Sequence, residues 1–157
     1  MLPIKKILCP TDFSDPSYEA LKVASELAVH FSSELVVLHV VQPIPTANVP
    51  PPPPASTGPM RFNISSFRQK LEEISKRSLQ EVVEQHVAKG LHVHPIVVQG
   101  EVAYQIIDAV DKQKIDLIVI ATHGRTGWRR FIFGSVTEKV LRLAPCPVLI
   151  IQPPHGE

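Results

Sequence analysis

The chain has 157 residues, a length at which one domain buries roughly two-thirds of the surface its unfolded form exposes. Lys and Arg number 16 against 15 Asp and Glu, so no charge excess points to DNA, RNA or an anionic membrane. No apolar run reaches the roughly 18 residues of a membrane span, and Met1-Leu2-Pro3-Ile4-Lys5-Lys6 lacks a signal-peptide core; a cytoplasmic protein is expected, with neither nucleic acid nor membrane as partner.

Ile4 to Cys9 reads as a first short strand, closed by Pro10, with Thr11 and Asp12 at its C-terminal end. Ser14-Asp15-Pro16 reads as a helix start, an N-cap serine with proline in the first turn. Leu21, Ala24, Leu27, Ala28 and Phe31 then recur at helical spacing. A second strand is expected over Glu34 to Val41, with Leu35 to Leu38 as its buried centre. From about 43 to 63 the composition shifts, and Pro50 to Pro54 is an unbroken proline run. Such a run could serve as a polyproline ligand or as a stiff, exposed connection. A Pro-x-x-Pro match inside five prolines is automatic, so the connection is favoured, as an insertion within a single domain spanning 1–157.

A long helix is expected over 65–89, with Phe67, Leu71, Ile74, Leu79, Val82 and Val83 on one apolar face and Gly90 as its stop. Leu91 to Val98 reads as a strand. His92 and His94 would share a face of it; two ligands without a third favour a solvated face over a metal pair. After a turn at Gly100, Glu101 to Lys112 reads as a helix with Val102, Ile106, Ile107 and Val110 inward. Ile115 to Ile120 is short, β-branched and apolar, a buried strand. A glycine-bearing loop leads to a helix over Ser135 to Leu143, whose Ser135-Val136-Thr137-Glu138 has capping-box spacing. Pro145-Cys146-Pro147 breaks that helix, and Val148 to Ile151 is a last strand before a short tail. Cys9 and Cys146 form no Cys-x-x-Cys pair and read as small buried hydrophobes rather than redox or metal groups.

Strands alternating with helices imply an α/β fold, an open five-stranded parallel sheet with helices on both faces. The segment Ala121 to Thr137 is then strand end, loop and helix start. Its free backbone N–H groups can face an anion, most often phosphate. Gly124, nine residues, then Gly134-Ser135 resembles the nucleotide-binding signature of the universal stress protein family, Gly-x-x-Gly, nine residues, Gly, then Ser or Thr. Ala121 stands where that signature has its first glycine. Pro10-Thr11-Asp12-Phe13-Ser14, Leu38-His39-Val40 and Pro145-Cys146-Pro147-Val148 resemble further landmarks of the family, in order along nearly the whole chain.

The resemblance, to the ATP-binding branch, implies strand order 3-2-1-4-5, a Rossmann-like sheet of the adenine nucleotide alpha hydrolase type. It places the switch point between the first and fourth strands, where ligands of such sheets bind. It implies ATP or AMP as ligand, with Mg²⁺ or Mn²⁺ held by the phosphates. Asp12 and Val40 would flank adenine and ribose, with Pro10 and Thr11 on the same wall. Ala121, Thr122, His123, Gly124, Arg125, Gly134, Ser135, Val136 and Thr137 would form the phosphate side, the Ser135 and Thr137 hydroxyls acting as donors. His123 is expected to shape the loop. Arg129 and Arg130 read as solvated, and Trp128 fits either an exposed partner contact or a packed anchor. A homodimer through Val148 to Ile151 is also implied.

No P-loop, dinucleotide fingerprint or nucleophile elbow occurs in the sequence. A regulatory nucleotide-binding protein of the stress response is therefore expected, a dimeric sensor or switch with at most very slow ATP hydrolysis. The alternative is a dimeric stress-tolerance protein that binds partners and no nucleotide.

Overall fold

The computed structural model describes residues 3–43, 64–122 and 133–152. The elements are β1 (Lys6–Pro10), α1 (Asp15–Phe31), β2 (Glu34–Val41), α2 (Ile64–His86), β3 (Val93–Gln99), α3 (Val102–Gln113), β4 (Leu117–Ala121), α4 (Ser135–Leu143) and β5 (Val148–Ile151). The proline run and the C-terminal tail lie outside the described residues.

All five strands are parallel, in the order β3-β2-β1-β4-β5. Strand alternation divides the apolar residues between two layers. Ile7, Cys9, Leu35, Val37 and Val119 face α1 and α2, where Ala20, Leu21, Ala24, Leu79 and Val82 meet them. Leu8, Val36, Leu38, Val40, Ile118 and Ile120 face α3 and α4, against Ala103, Ile106, Val110 and Val140. The central strands are thus apolar on both faces, as a covered parallel sheet requires.

α1 begins as its sequence dictates. Ser14 is the N-cap, its hydroxyl accepts from Ser17 N–H, and Pro16 sits in the first turn where its missing N–H costs nothing. α2 starts where expected but departs from expectation at its C-terminal end and along its apolar face. It stops at His86, short of Gly90: the Ala88 N–H turns out of the helix to donate to Ser25 Oγ of α1 at 2.9 Å. Of its expected apolar face only Leu79 and Val82 are buried, while Phe67 and Ile74 remain exposed. Only the C-terminal half of the helix therefore lies against the core.

α4 also corrects the expected capping box. Gly134 is the N-cap, at φ −58° and ψ 152°, and Ser135 is already helical. Glu138 turns its side chain forward to Arg142 at 2.8 Å instead of back to the helix start. His92 and His94 are both exposed. Cys9 is buried and Cys146 half-buried, both as free thiols.

Candidate functional site

The sheet order reverses between β1 and β4, and open α/β sheets bind ligands in the crevice outside the strand C-termini at such a point. β1 keeps register with β2 through Pro10↔Leu38, and Thr11 N–H extends that ladder to Leu38 O at 2.8 Å. The β1–β4 ladder runs over Ile7↔Leu117 and Leu8↔Ile118. Past it, Pro10 brings no N–H to the seam, and the two strand ends form the site's two sides.

The β1 side is a hydrogen-bonded turn. Thr11 is 5% exposed, its hydroxyl 2.9 Å from Ser17 Oγ and accepting from Phe13 N–H at 3.1 Å. Asp12 Oδ1 accepts from Ser14 N–H at 3.1 Å and also from the Ser14 hydroxyl. Phe13 has φ 63°, a left-handed conformation unusual for a bulky side chain. Its ring stacks on His39 with centroids 4.1 Å apart, which offsets part of that strain. His39 Nδ1 lies 2.9 Å from Thr11 O; a carbonyl can only accept, so the proton is on Nδ1. β2 thus braces the turn that presents Asp12, and Val40, 8% exposed, sits one residue beyond His39.

The other side joins the end of β4 to the start of α4. Thr122 N–H donates to Ile151 O of β5 at 3.0 Å, and Thr122 O accepts from Gly134 N–H at 2.9 Å. Thr137 Oγ1 donates to Ala121 O at 2.9 Å. Ala121 is the last residue of β4 and pairs with Ile151, so its alanine sits in extended backbone that suits it. The first N–H groups of α4, from Ser135, Val136 and Thr137, precede the first intrahelical bond, Glu138 N–H to Gly134 O at 3.0 Å. Gly134 supplies no side-chain cap. Lys139 braces this helix against α3, 3.4 Å from the Glu101 carboxylate and 3.8 Å from the Tyr104 ring centroid.

Pro10, Thr11 and Asp12, Val40, Ala121 and Thr122, and Gly134 to Thr137 thus sit at the C-terminal edge of neighbouring strands and at the helix start beside them. His123, Gly124 and Arg125 lie outside the described residues, as do Trp128, Arg129 and Arg130. Thr137 differs from expectation in that its hydroxyl hydrogen is given to Ala121 O.

The sequence model of the universal stress protein family matches residues 3–152. The chain belongs to this family. A universal stress protein of Methanocaldococcus jannaschii is 35% identical over 153 residues, covering 98% of this chain and 85% of the relative. A solved member from Burkholderia pseudomallei is 27% identical with TM-score 0.69, covering 94% of this chain and 96% of that one. Two solved universal stress proteins are nucleotide complexes. One holds cAMP, with TM-score 0.67, 20% identity and coverage of 94% and 97%. The other, from Archaeoglobus fulgidus, holds dAMP, with TM-score 0.58, 20% identity and coverage of 96% and 98%. At that identity both show a common fold.

In this universal stress protein a concavity of about 590 Å³ lies at the opposite end of the strands, lined by Lys5, Ser33, Glu34, Lys89 and His92. It opens beside the C-terminal end of α1, where helix carbonyls disfavour anions. A smaller one of about 200 Å³ lies beyond β2 and β3, between Val41, Arg68 and Gln99. Neither is the switch point. Sequence reasoning passed over Phe13, Ser17 and the brace from His39. Ser14 and Ser17, three apart at a helix start, were a local signal for the turn; the Phe13–His39 stack had none.

Proposed function

We propose that this universal stress protein binds an adenine nucleotide, ATP or AMP, across the β1–β4 seam and works as a dimeric sensor or switch. The observation that carries the reading is the start of α4. Three backbone N–H groups open the helix behind a glycine cap that offers them no side-chain acceptor, and a helix N-terminus of this kind favours phosphate. Ser135, exposed at its first position, adds a hydroxyl donor. Asp12, Val40, Pro10 and Thr11 supply the base and ribose wall on the facing strand end. Solved relatives of this fold hold cAMP and dAMP; the reading for this chain rests on its own residues.

Among the described residues no group of three or more His, Cys, Asp or Glu could hold a metal ion. In this reading a magnesium or manganese ion arrives with the nucleotide, held by its phosphates. Turnover is absent or very slow in this reading. Asp12 Oδ1 is engaged by Ser14, on the strand end facing the phosphate side, and hydrolysis needs a group that orients the attacking water.

The test is direct. Denaturing the purified protein and separating the supernatant by chromatography identifies any nucleotide carried through purification, and titration with a fluorescent ATP analogue measures affinity. No saturable binding below about 1 mM, equivalent to about 4 kcal/mol, overturns the reading. Phosphate release near about 1 s⁻¹ that disappears in Gly134→Val would make the protein an ATPase instead. A non-binding interaction protein is the second reading, favoured by the exposed apolar side chains of Phe67 and Ile74 on α2 and Leu149 on β5.

A further inference from the structure

We propose that Thr137 is a positioning residue, whose hydroxyl sets the first turn of α4 against the end of β4 and makes no contact with phosphate itself. The proposal rests on the nucleotide reading above and specifies how that site is held in register.

The peptide groups of β4 alternate in direction. Ile118 N–H donates to Pro147 O and Thr122 N–H to Ile151 O, both on the β5 side. Ala121, out of phase with both, turns its carbonyl the other way, toward β1. The β1–β4 pairs end at Leu8↔Ile118, so Ala121 O lies past them, at the seam. A buried carbonyl there requires a donor, and Thr137 Oγ1 supplies it at 2.9 Å from a residue 4% exposed. A threonine hydroxyl carries one hydrogen. Given to Ala121, that hydrogen does not serve a ligand.

The contact forms one half of a clamp. Gly134 N–H is held by Thr122 O at 2.9 Å, so the successive carbonyls of Ala121 and Thr122 grip α4 at two points, one on either side of Ser135 and Val136. Held at both points, the amides of those two residues have fixed positions relative to the strand end. Held only at Gly134, the helix start can pivot, and its amides lose their common aim. Position 137 thus acts through the backbone it anchors, which explains why a buried residue belongs to an anion site.

Calorimetric titration of ATP with Mg²⁺ against wild type, Thr137→Val and Thr137→Ser tests this, with thermal melts as the measure of folding. Valine keeps the branched shape and removes the donor; serine keeps the donor. Thr137→Val should bind ATP at least about tenfold more weakly, and Thr137→Ser within about twofold of wild type. Equal affinity of Thr137→Val and wild type overturns the proposal, as does a folded Thr137→Ser weakened as much as Thr137→Val. If Thr137→Val does not fold, Thr137→Ser decides: wild-type affinity supports the clamp, and lost affinity in a folded protein overturns it. A wild type that binds no ATP overturns the underlying reading and this proposal together, an outcome distinct from the loss of this one alone.

Discussion

Gly134 gives its N–H to Thr122 O at 2.9 Å, and a Cβ built on Gly134 would stand 3.4 Å from that same oxygen. That is an ordinary contact, and φ −58° with ψ 152° is backbone any L-residue adopts. Nothing in the described packing demands glycine here; in the proposed nucleotide site, a glycine permits close approach of a phosphate. Gly134→Ala should therefore melt like wild type, its stability changed by no more than about 1 kcal/mol. The poorer N-cap and the less flexible unfolded chain act in opposite directions. Its ATP affinity should fall about tenfold or more. Wild-type affinity in this variant would place the phosphates elsewhere.

Ala121→Gly restores the glycine of the family signature. The position lies in β4, 8% exposed, with its carbonyl tied to Thr137. Glycine in a strand weakens it by roughly 0.5–1 kcal/mol. ATP affinity should change less than about threefold, since extended backbone already suits alanine. A gain of two orders of magnitude in the same titration would show that the alanine methyl obstructs the site.

The two cysteines should separate in alkylation and in alkaline stability. Burial pushes the Cys9 thiol from 9.0 up to about 12, and partial burial and the Asp116 charge raise that of Cys146. Iodoacetamide at pH 8 should label the half-buried Cys146 first and Cys9 only on unfolding. Below about pH 9 both folded and unfolded Cys9 are protonated, and its contribution is intact. Above that the unfolded thiol ionises while the folded one does not, so stability falls by up to about 1.4 kcal/mol per pH unit until the folded thiol titrates. Denaturant midpoints measured from pH 8 to 10.5 should fall less steeply in Cys9→Ala than in wild type.

For the proposed dimer, Leu149 is the informative position on β5. Val148 and Ile150 turn into the α3–α4 layer, so a charge at 150 would damage the core itself. Leu149 is 38% exposed on the edge strand, where unpaired backbone invites a second copy. Leu149→Lys should yield a folded monomer by light scattering at micromolar concentration. A wild type that is itself monomeric there removes this interface.

The fold was legible where local signals agreed. Ser14 with Pro16 started α1, and the β-branched run before Ala121 formed a strand. Val148–Ile151 and Ser135–Leu143 appear with the expected bounds. What was not legible depends on partners distant in sequence. The end of α2 is set by Ser25, 63 residues from Ala88. Periodicity alone could not show that Phe67 and Ile74 would stay exposed. At the site, residue types were readable but hydrogen-bond assignments were not. A hydroxyl at 137 suggests a ligand donor until its distance to Ala121 O is known. Spacing could not reveal that Gly134, and not Ser135, would be the cap, because both residues are competent N-caps.

The placement of β1 has a consequence for the order of assembly. β1 can pair with β2 as soon as the first crossover is made, but its other neighbour comes much later: Lys6 N–H meets Asp116 Oδ2 across 110 positions. Contacts so far apart close at a high cost in loop entropy. The seam between β1 and β4 is therefore completed only when almost the entire chain is in place, and no fragment ending before β4 contains it. A nucleotide that binds there recognises finished molecules alone, and by mass action it withdraws them from the unfolding equilibrium.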